Sequence, residues 1–244
     1  MKIYGLNKTT LLDYPGRVAA TIFLGGCNFR CPFCQNADIA CAGAEDAAWR
    51  YVAPEEAVGL ALRARDRGCV GVAYTYNEPL VGYEYVRDVG RLASEAGLAN
   101  VLVSNGMVNE GPLAELLGVV DAANIDLKGF TQGFYDLAGG DLAAVKRTIE
   151  TLAADPTCHL EVTTLVIPGL NDDEGHLENF SRTIKALGRV QAVELLPYHR
   201  LGKNKYALLG RAYALESLGP MSKEDLARRA AFVAERLGGT KVLF

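Results

Sequence analysis

The stretch Gly25-Gly26-Cys27-Asn28-Phe29-Arg30-Cys31-Pro32-Phe33-Cys34-Gln35-Asn36 contains three cysteines in the spacing C-x3-C-x2-C. It follows an apolar run, Val18–Leu24, which has the length and the β-branched content of a buried strand. A short loop that is entered through two glycines can turn three thiolates toward one point. Soft thiolate ligands select zinc, copper(I) or iron–sulfur clusters, so this loop predicts a metal centre.

The number of cysteines in the loop separates two kinds of metal centre. A cubane 4Fe-4S cluster normally takes four cysteines, so a loop with three leaves one iron open to an amine and a carboxylate of a small molecule. The alternative is a structural zinc whose fourth ligand comes from elsewhere, and Cys41 is the nearest candidate. Zinc sites usually pair one Cys-x2-Cys unit with a second Cys or His pair, and no such pair follows in this sequence.

The cysteine spacing, with the aromatic Phe33 just before the third cysteine, resembles the signature of radical S-adenosylmethionine (SAM) enzymes. The resemblance implies that Cys27, Cys31 and Cys34 hold one 4Fe-4S cluster, whose open iron binds the amino and carboxylate groups of SAM. It also implies that an electron from the reduced cluster cleaves SAM to methionine and a 5′-deoxyadenosyl radical.

Composition argues against several other classes of protein. The 244-residue chain is half apolar, has a net charge of −4 and contains no run of more than two basic residues, which does not favour a nucleic-acid partner. No apolar stretch reaches about 18 residues, and the N-terminus lacks a signal-peptide pattern, so no membrane partner is expected. Free cysteines fit a reducing compartment, and we expect a cytoplasmic protein.

Strand-like and helix-like stretches alternate along the chain, which indicates a parallel sheet with right-handed crossovers. The strand-like runs are Val18–Leu24, Val70–Thr75, Asn100–Ser104, Ala122–Leu127, Leu160–Ile167 and Ala192–Leu196. The helix-like stretches are Pro54–Arg67, Leu80–Ala96, Gly111–Leu117, Leu142–Ala154, Gly175–Leu187 and Ser222–Leu237. A closed barrel needs eight such units in about 250 residues. Six units therefore predict an α/β fold, a partial six-stranded (β/α)6 barrel, in one domain over residues 1–244 with an N-terminal leader at 1–16.

Polar residues follow the predicted strands, and in parallel α/β barrels the carboxyl ends of the strands carry the functional groups. Under the resemblance, these residues contact SAM. They are Phe33, Asn77, Glu78, Ser104, Asn105, Asp126, Lys128 and His199.

Glu78 and Pro79 match the second half of a Gly-Gly-Glu-Pro motif, in which the acid binds the SAM ammonium group, but Tyr76 and Asn77 replace both glycines. The alternative for Glu78 is an acid that complements the dipole of the following helix. The resemblance also implies a monovalent cation near the SAM carboxylate. Val103 stands where an acid normally contributes to that cation site.

The other candidates have alternatives too. Lys128 is expected to bind the SAM carboxylate, or else only to form an ion pair with Asp126. His199 is expected to donate to the ribose hydroxyls, or else to be a structural histidine. Phe33 is expected near the adenine, or else in a plain apolar contact. Asn105 is expected to contact SAM, or else only to form part of a β-to-α turn.

The resemblance is most specific to the glycyl-radical-enzyme activating proteins, and it runs nearly end to end. The segments that carry it are Cys27–Asn36, Asp126-Leu127-Lys128, Val166-Ile167-Pro168-Gly169, Glu194–Tyr206 and Lys241-Val242-Leu243-Phe244. It implies that the partner is a glycyl-radical enzyme, either pyruvate formate-lyase-like or anaerobic ribonucleotide reductase-like. The turn Asp13-Tyr14-Pro15-Gly16 resembles a loop that contacts this partner.

The segment that follows Cys34 bears on the source of the electron. No cysteine-rich, ferredoxin-like insert follows Cys34, so the resemblance implies one cluster and an external donor, a flavodoxin or a ferredoxin. Two alternatives stay open at this point. One is a radical SAM enzyme that acts on a small molecule or another macromolecule, and the other is a non-enzymatic iron–sulfur or zinc protein.

Overall fold

The computed structural model describes residues 2–11, 13–14, 16–40 and 49–244, so Pro15 and Cys41 lie outside the described residues. Its strands are β1 (Lys2–Thr10), β2 (Val18–Leu24), β3 (Arg50–Tyr51), β4 (Cys69–Thr75), β5 (Ala99–Ser104), β6 (Ala122–Asp126), β7 (His159–Val166), β8 (Ala192–Pro197) and β9 (Lys241–Leu243). Its α-helices are α1 (Ala37–Ala40), α2 (Pro54–Arg63), α3 (Tyr83–Glu95), α4 (Glu110–Leu116), α5 (Gln132–Ala138), α6 (Leu142–Ala154), α7 (Glu174–Ala186), α8 (Lys203–Leu208) and α9 (Lys223–Leu237).

The strands form one open sheet in the order β3-β1-β2-β4-β5-β6-β7-β8-β9. From β2 to β9 every neighbouring pair is parallel, whereas β1 pairs antiparallel with β2 and β3 antiparallel with β1. Among the described residues, the hydrogen bonds do not close the sheet into a ring. The predicted α/β fold, a six-stranded partial barrel, is therefore confirmed, with further strands added at both edges.

Alternating residues of the central strands face two different environments, as the two-residue period of a strand requires. In β2, Ala20, Ile22 and Leu24 join the main core, which the helices cover. Ala19 belongs to a smaller cluster with Ala73, Val101 and Ala122 on the other face of the sheet. Because these inner residues are small, the inner face leaves space where side chains of functional residues can project.

The residues at the N-termini of α2 and α9 explain where these two helices begin. Pro54 opens α2 at the first turn, where its missing N–H costs nothing, and Glu55 and Glu56 are in the same turn. The Oγ atom of Ser222 accepts a hydrogen bond from Asp225 N and caps α9. These short signals position the helices that connect one parallel strand to the next, so the carboxyl ends of the strands all lie at one edge.

Three strands were not predicted from the sequence, namely β1, β3 and β9, and neither were α1, α5 and α8. All six lie at an edge of the sheet or in a loop that follows a central strand. Strand β1 lies within the segment that the sequence analysis treats only as a leader, and it pairs with β2 along most of its length. The leader is therefore part of the sheet.

Candidate active site

The cysteine loop connects β2 to α1, and its two glycines are required by the backbone. A Cβ atom on Gly25 would overlap the Trp49 ring, and Gly26 has a φ of 80°, in the left-handed region that glycine adopts freely. Gly26 O accepts a hydrogen bond of 3.1 Å from Glu78 N, in the loop after β4. The glycines thus let the cysteine loop approach the next strand end closely.

Helix α8 supports the same loop from the opposite end of the sheet. The Tyr206 hydroxyl donates to Cys31 O at 3.0 Å and accepts from Cys34 N at 3.2 Å. A Cβ atom on Gly202 would lie 2.7 Å from Cys34 O, so only glycine fits where the chain enters α8. The segment from Gly202 to Tyr206 therefore holds the backbone of two of the three cysteines.

A cavity of about 350 Å³ opens beside the cysteine loop at the carboxyl ends of the strands. Of the predicted SAM contacts, seven line it. They are Phe33, Asn77, Ser104, Asn105, Asp126, Lys128 and His199. Cys27, Cys31 and Cys34 line it as well, so the structure brings the cysteines and these seven residues to one place.

Lys128 and Asp126 form an ion pair of 2.6 Å within this cavity, as their spacing on β6 and its end predicts. Burial acts to lower the pKa of the Lys128 ammonium group, but Asp126 and Cys31 outweigh it and the net pKa is raised. Lys128 is therefore a fixed positive charge beside the thiols. It remains about 20% exposed, so it can also bind an anion from the cavity.

Glu78 follows the end of β4, as predicted, and it is the one predicted SAM contact that is absent from the cavity lining. The side chain is fully buried and does not line the cavity. Its Oε1 accepts hydrogen bonds from Leu80 N (2.8 Å) and Ser104 Oγ (2.7 Å), and its Oε2 accepts one from Asn105 N (2.7 Å). Burial raises the pKa of Glu78 to about 7, against these three donors. Glu78 thus joins the ends of β4 and β5, and its contact with the SAM ammonium group stays a prediction.

Tyr76 and Asn77 hold a backbone conformation that glycine adopts freely. Their φ angles are 66° and 52°, and they are the non-glycine residues of the described chain with positive φ. Asparagine tolerates this region, but for a bulky residue such as tyrosine it is a strained conformation. The Tyr76 ring packs edge-on against Phe23 with 4.5 Å between the ring centroids.

Asn105 has a hydrogen-bonded position near the cysteines. Its Nδ2 atom donates to Asn28 Oδ1 at 2.7 Å and approaches Cys27 Sγ at 3.8 Å, while its Oδ1 atom accepts from Met107 N at 2.8 Å. Gly106 has a φ of 74°, so the predicted turn is present too. Asn105 therefore both shapes the turn after β5 and contacts a cysteine side chain.

His199 and Phe33 also line the cavity. Nδ1 of His199 accepts a weak hydrogen bond of 3.4 Å from Leu201 N. Phe33 is 8% exposed and packs against Phe134, with 6.0 Å between the ring centroids. Both side chains retain a surface in the cavity, as a contact with ribose and adenine would require.

The comparisons with known proteins agree with this geometry. The model of the radical SAM superfamily matches residues 21–180. The chain belongs to the radical SAM superfamily. The pyruvate formate-lyase 1-activating enzyme of Escherichia coli is 28% identical over 250 residues, covering all of this chain and 98% of that enzyme. An uncharacterized protein of Methanocaldococcus jannaschii is 38% identical over 160 residues, covering 66% of this chain, which spans 46% of that protein.

Solved structures of radical SAM proteins share the fold. A radical SAM methyltransferase of Sphaerobacter thermophilus has a TM-score of 0.63 and 18% identity over 94% of this chain and 66% of that chain. A domain of the pyruvate-formate lyase-activating enzyme of Bacteroides vulgatus has a TM-score of 0.57 and 17% identity over 70% of this chain and 96% of that domain. At these identities the likeness concerns the fold.

As a radical SAM enzyme, the chain uses a 4Fe-4S cluster and SAM. The alternative of a non-enzymatic iron–sulfur or zinc protein is therefore excluded.

The three cysteines have the chemistry that a 4Fe-4S cluster requires. Among the described residues no group of three or more His, Cys, Asp or Glu side chains can hold a single metal ion, but in a cubane each thiolate binds a different iron. Burial raises the pKa of Cys27 to about 11 and that of Cys31 to about 12, so cluster binding must displace their protons.

Two of the predicted partner-loop residues, Asp13 and Tyr14, contact the inner face of the sheet. Thr21 Oγ1 donates to Asp13 Oδ2 at 2.8 Å, and burial raises the pKa of Asp13. Tyr14 packs against the cluster of small residues around Ala19. Gly16 has a φ of 74° with no heavy atom within 4 Å of an added Cβ. Pro15 lies outside the described residues, and contact of this turn with a partner stays a prediction.

Several cavity residues were not predicted. They are Phe29, Gln35, Asn36, Ala40, Thr75, Tyr76, Val103, Leu165 and Leu196. All of them lie in the cysteine loop and α1 or at the end of a parallel strand, so position alone was the signal that could have found them. Val103 has no side-chain oxygen, so the expected monovalent cation would have to be bound without a carboxylate from this position. In the described part of the chain, no helix is long and apolar enough to cross a membrane.

Proposed function

We propose that this radical SAM enzyme is an activating enzyme for a glycyl-radical enzyme, pyruvate formate-lyase-like or anaerobic ribonucleotide reductase-like. The similarity to the pyruvate formate-lyase 1-activating enzyme over the full length of both chains is the observation that carries the proposal. When bound and reduced, the cluster supplies one electron that splits SAM into methionine and a 5′-deoxyadenosyl radical, which takes a hydrogen atom from a glycine Cα of the partner.

The chain's own residues bind and orient the reactants in this proposal. Lys128 offers a positive charge to the SAM carboxylate, while Asp126 holds the Lys128 side chain in place. His199 and Phe33 offer a hydrogen bond and an apolar surface to the nucleoside. No acid–base residue is needed, because the transfer moves a hydrogen atom and leaves no proton to be shuttled.

The electron must come from outside, and we propose a flavodoxin or a ferredoxin as the donor. A second, small cavity of about 30 Å³ reaches Cys27, Cys31 and Cys34, and it is lined by Arg30 and Arg211. Arg211 lies 5.7 Å from the centre of the Tyr206 ring. Two arginines beside the cluster ligands favour an acidic carrier protein, because opposite charges speed encounter.

The test is anaerobic and uses the reconstituted enzyme with SAM, reductant and a glycyl-radical enzyme from the same organism. We expect 5′-deoxyadenosine and a glycyl doublet in the electron paramagnetic resonance spectrum. A partner whose radical-bearing glycine is replaced by alanine is the control for the doublet, and Cys27→Ala is the control for SAM cleavage. Cleavage without a doublet would favour the other candidate, a radical SAM enzyme with a different substrate.

A further inference from the structure

A closed ring of three hydrogen bonds joins the cysteine loop to the loop after β5. Asn105 Oδ1 accepts from Met107 N at 2.8 Å, Met107 O accepts from Asn28 Nδ2 at 2.8 Å, and Asn28 Oδ1 accepts from Asn105 Nδ2 at 2.7 Å. A backbone N–H can only donate and a backbone C=O can only accept, so Met107 fixes the orientation of both side-chain amides. The amide nitrogen of Asn105 therefore faces the cysteine loop.

The Asn105 amide nitrogen carries two hydrogens, and the ring uses one of them. Its other contact is with Cys27 Sγ, at a distance of 3.8 Å from Nδ2. The same sulfur accepts a hydrogen bond of 3.4 Å from Phe29 N. Cys27 Sγ thus receives one donor from its own loop and a second donor from the end of another strand. Asn105 is only 4% exposed, so water competes little for this contact.

A donor at a ligand sulfur changes the energies of the two redox states of a cluster by different amounts. Reduction adds one negative charge to the cluster and its thiolates, and an N–H group that faces a thiolate stabilises the more negative state more strongly. Hydrogen bonds to the sulfurs are accordingly among the properties that set the reduction potential of an iron–sulfur cluster. A donor held rigidly in dry surroundings is well suited to this effect.

We infer that Asn105 is a positioning residue that raises the reduction potential of the bound cluster, because its second amide hydrogen bonds to the Cys27 thiolate. Asn28 takes part by holding the Asn105 amide in the orientation that this bond requires. The role is separate from a contact between Asn105 and SAM, and it does not depend on the substrate that the radical attacks. A higher potential lets a weaker external donor reduce the cluster.

The test is a redox titration of the reconstituted cluster, followed by electron paramagnetic resonance and carried out without SAM. Asn105→Ala removes the ring and the donor to Cys27, whereas Asn105→Ser removes the amide but keeps a hydroxyl that can accept from Met107 N. At the midpoint potential of the unchanged enzyme, we expect the ratio of reduced to oxidised cluster to fall about 3- to 10-fold in both variants, the range of one hydrogen bond. For a one-electron couple this is a midpoint potential about 30 to 60 mV more negative.

Two further variants separate the contact with sulfur from general effects on the loops. Asn28→Ala leaves the Asn105 amide in place and removes only its partner in the ring, so we expect a smaller shift than in Asn105→Ala. Asn109→Ala, at an exposed asparagine that makes no side-chain cap at the start of α4, is the matched control and should keep the unchanged potential. Iron content and thermal unfolding of every variant show whether the fold is kept, and Asn105→Ser keeps the test valid if Asn105→Ala does not fold.

Two results would overturn the inference. An unchanged potential in Asn105→Ala and Asn105→Ser, at full cluster content, would show that the amide does not act on Cys27. A shift in Asn28→Ala as large as that in Asn105→Ala would assign the effect to the packing of the two loops instead of the donor. Neither result involves a glycyl-radical partner, so the inference and the proposed function stand or fall separately.

Discussion

The Tyr206 hydroxyl donates a hydrogen bond of 3.0 Å to the backbone oxygen of Cys31, a residue far away in the sequence. The same hydroxyl accepts from Cys34 N, so one phenol satisfies two backbone groups of the cysteine loop. The Tyr206 ring is buried against Tyr213 with 5.1 Å between the ring centroids, which keeps the hydroxyl in position.

We expect Tyr206→Phe to weaken cluster retention, because Cys31 O and Cys34 N each lose one hydrogen bond and keep only the 3.2 Å bond that they form with each other. A typical hydrogen bond contributes about 0.5–1.5 kcal/mol to stability. The measurement is the rate at which the reconstituted protein loses its iron–sulfur absorbance in the presence of a chelator. Tyr51→Phe, at a 70% exposed tyrosine, is the matched control. Equal rates for the two variants would show that this hydroxyl does not hold the loop.

Gly202→Ala should have a similar effect through sterics. The added Cβ would lie 2.7 Å from Cys34 O and 3.0 Å from Gln35 Cα, so the backbone must move, at a cost of about 1–3 kcal/mol. We expect a lower iron content after reconstitution. Gly219→Ala adds the same methyl group where nothing lies within 4 Å, and it should reconstitute normally. A full iron content in Gly202→Ala would mean that α8 can shift without consequence.

Lys128→Met separates the two interpretations of the Asp126–Lys128 pair. If Lys128 binds the SAM carboxylate, its loss should raise the dissociation constant for SAM about 10- to 100-fold, and Asp126→Asn, which keeps the ammonium group, should have a smaller effect. Isothermal titration of the reconstituted variants measures both constants. Equal losses in both variants would favour an ion pair with only a structural role.

Glu78 should make the stability of the chain dependent on pH. Its folded-state pKa of about 7 exceeds the ordinary value of 4.5, so the folded state binds the proton more tightly than the unfolded state. The stability contributed by this proton is fully present below about pH 4.5, and it declines as the pH rises to about 7, by about 3 kcal/mol. Urea unfolding of the metal-free chain at several pH values measures the slope.

Glu78→Gln should flatten that pH dependence, because glutamine does not titrate. The difference between the two curves isolates Glu78 from other acids with raised pKa, such as Asp13 and Glu194, which are present in both proteins. Parallel curves over this range would show that Glu78 is ionised when folded, held by its three donors.

Arg211→Glu should slow electron entry if an acidic carrier protein docks beside the small cavity. We expect slower reduction of the cluster by flavodoxin hydroquinone and a weaker dependence on salt, with no change when dithionite is the reductant. Arg182→Glu reverses a charge on α7 at a 71% exposed arginine and serves as the control. An equal effect of both variants would indicate a general charge effect instead of a docking face.

The central strands could be predicted from the sequence because both of their faces are buried, which gives continuous apolar runs. The observed β2 has the predicted bounds, and β5 and β7 differ from theirs by one residue. The edge strand β9 has three residues, exposed or half-buried, so its pairing with β8 leaves almost no local pattern.

The sequence predicts those parts of the site whose role follows from the chemistry and spacing of the residues alone. The cysteines and the Asp126–Lys128 pair are of this kind. The hydrogen bonds of Glu78 could not be predicted, because its partners Ser104 and Asn105 come from another strand and no local pattern reports that approach. The conformation of Tyr76 and Asn77 was also beyond the sequence, since a bulky residue such as tyrosine usually avoids positive φ.

The contact between α8 and the cysteine loop joins residues more than 170 positions apart, and this has a consequence for how the protein matures. During synthesis the cysteines emerge early, but the phenol that orders their backbone is made only when most of the chain exists. The loop therefore becomes ordered late. The chain entropy that is lost when these distant residues come together is large, and the packing of the finished sheet offsets it. We therefore expect a stable cluster to form only on a nearly complete fold. A chain that stops before Tyr206 should contain the three cysteines but should not retain a cluster.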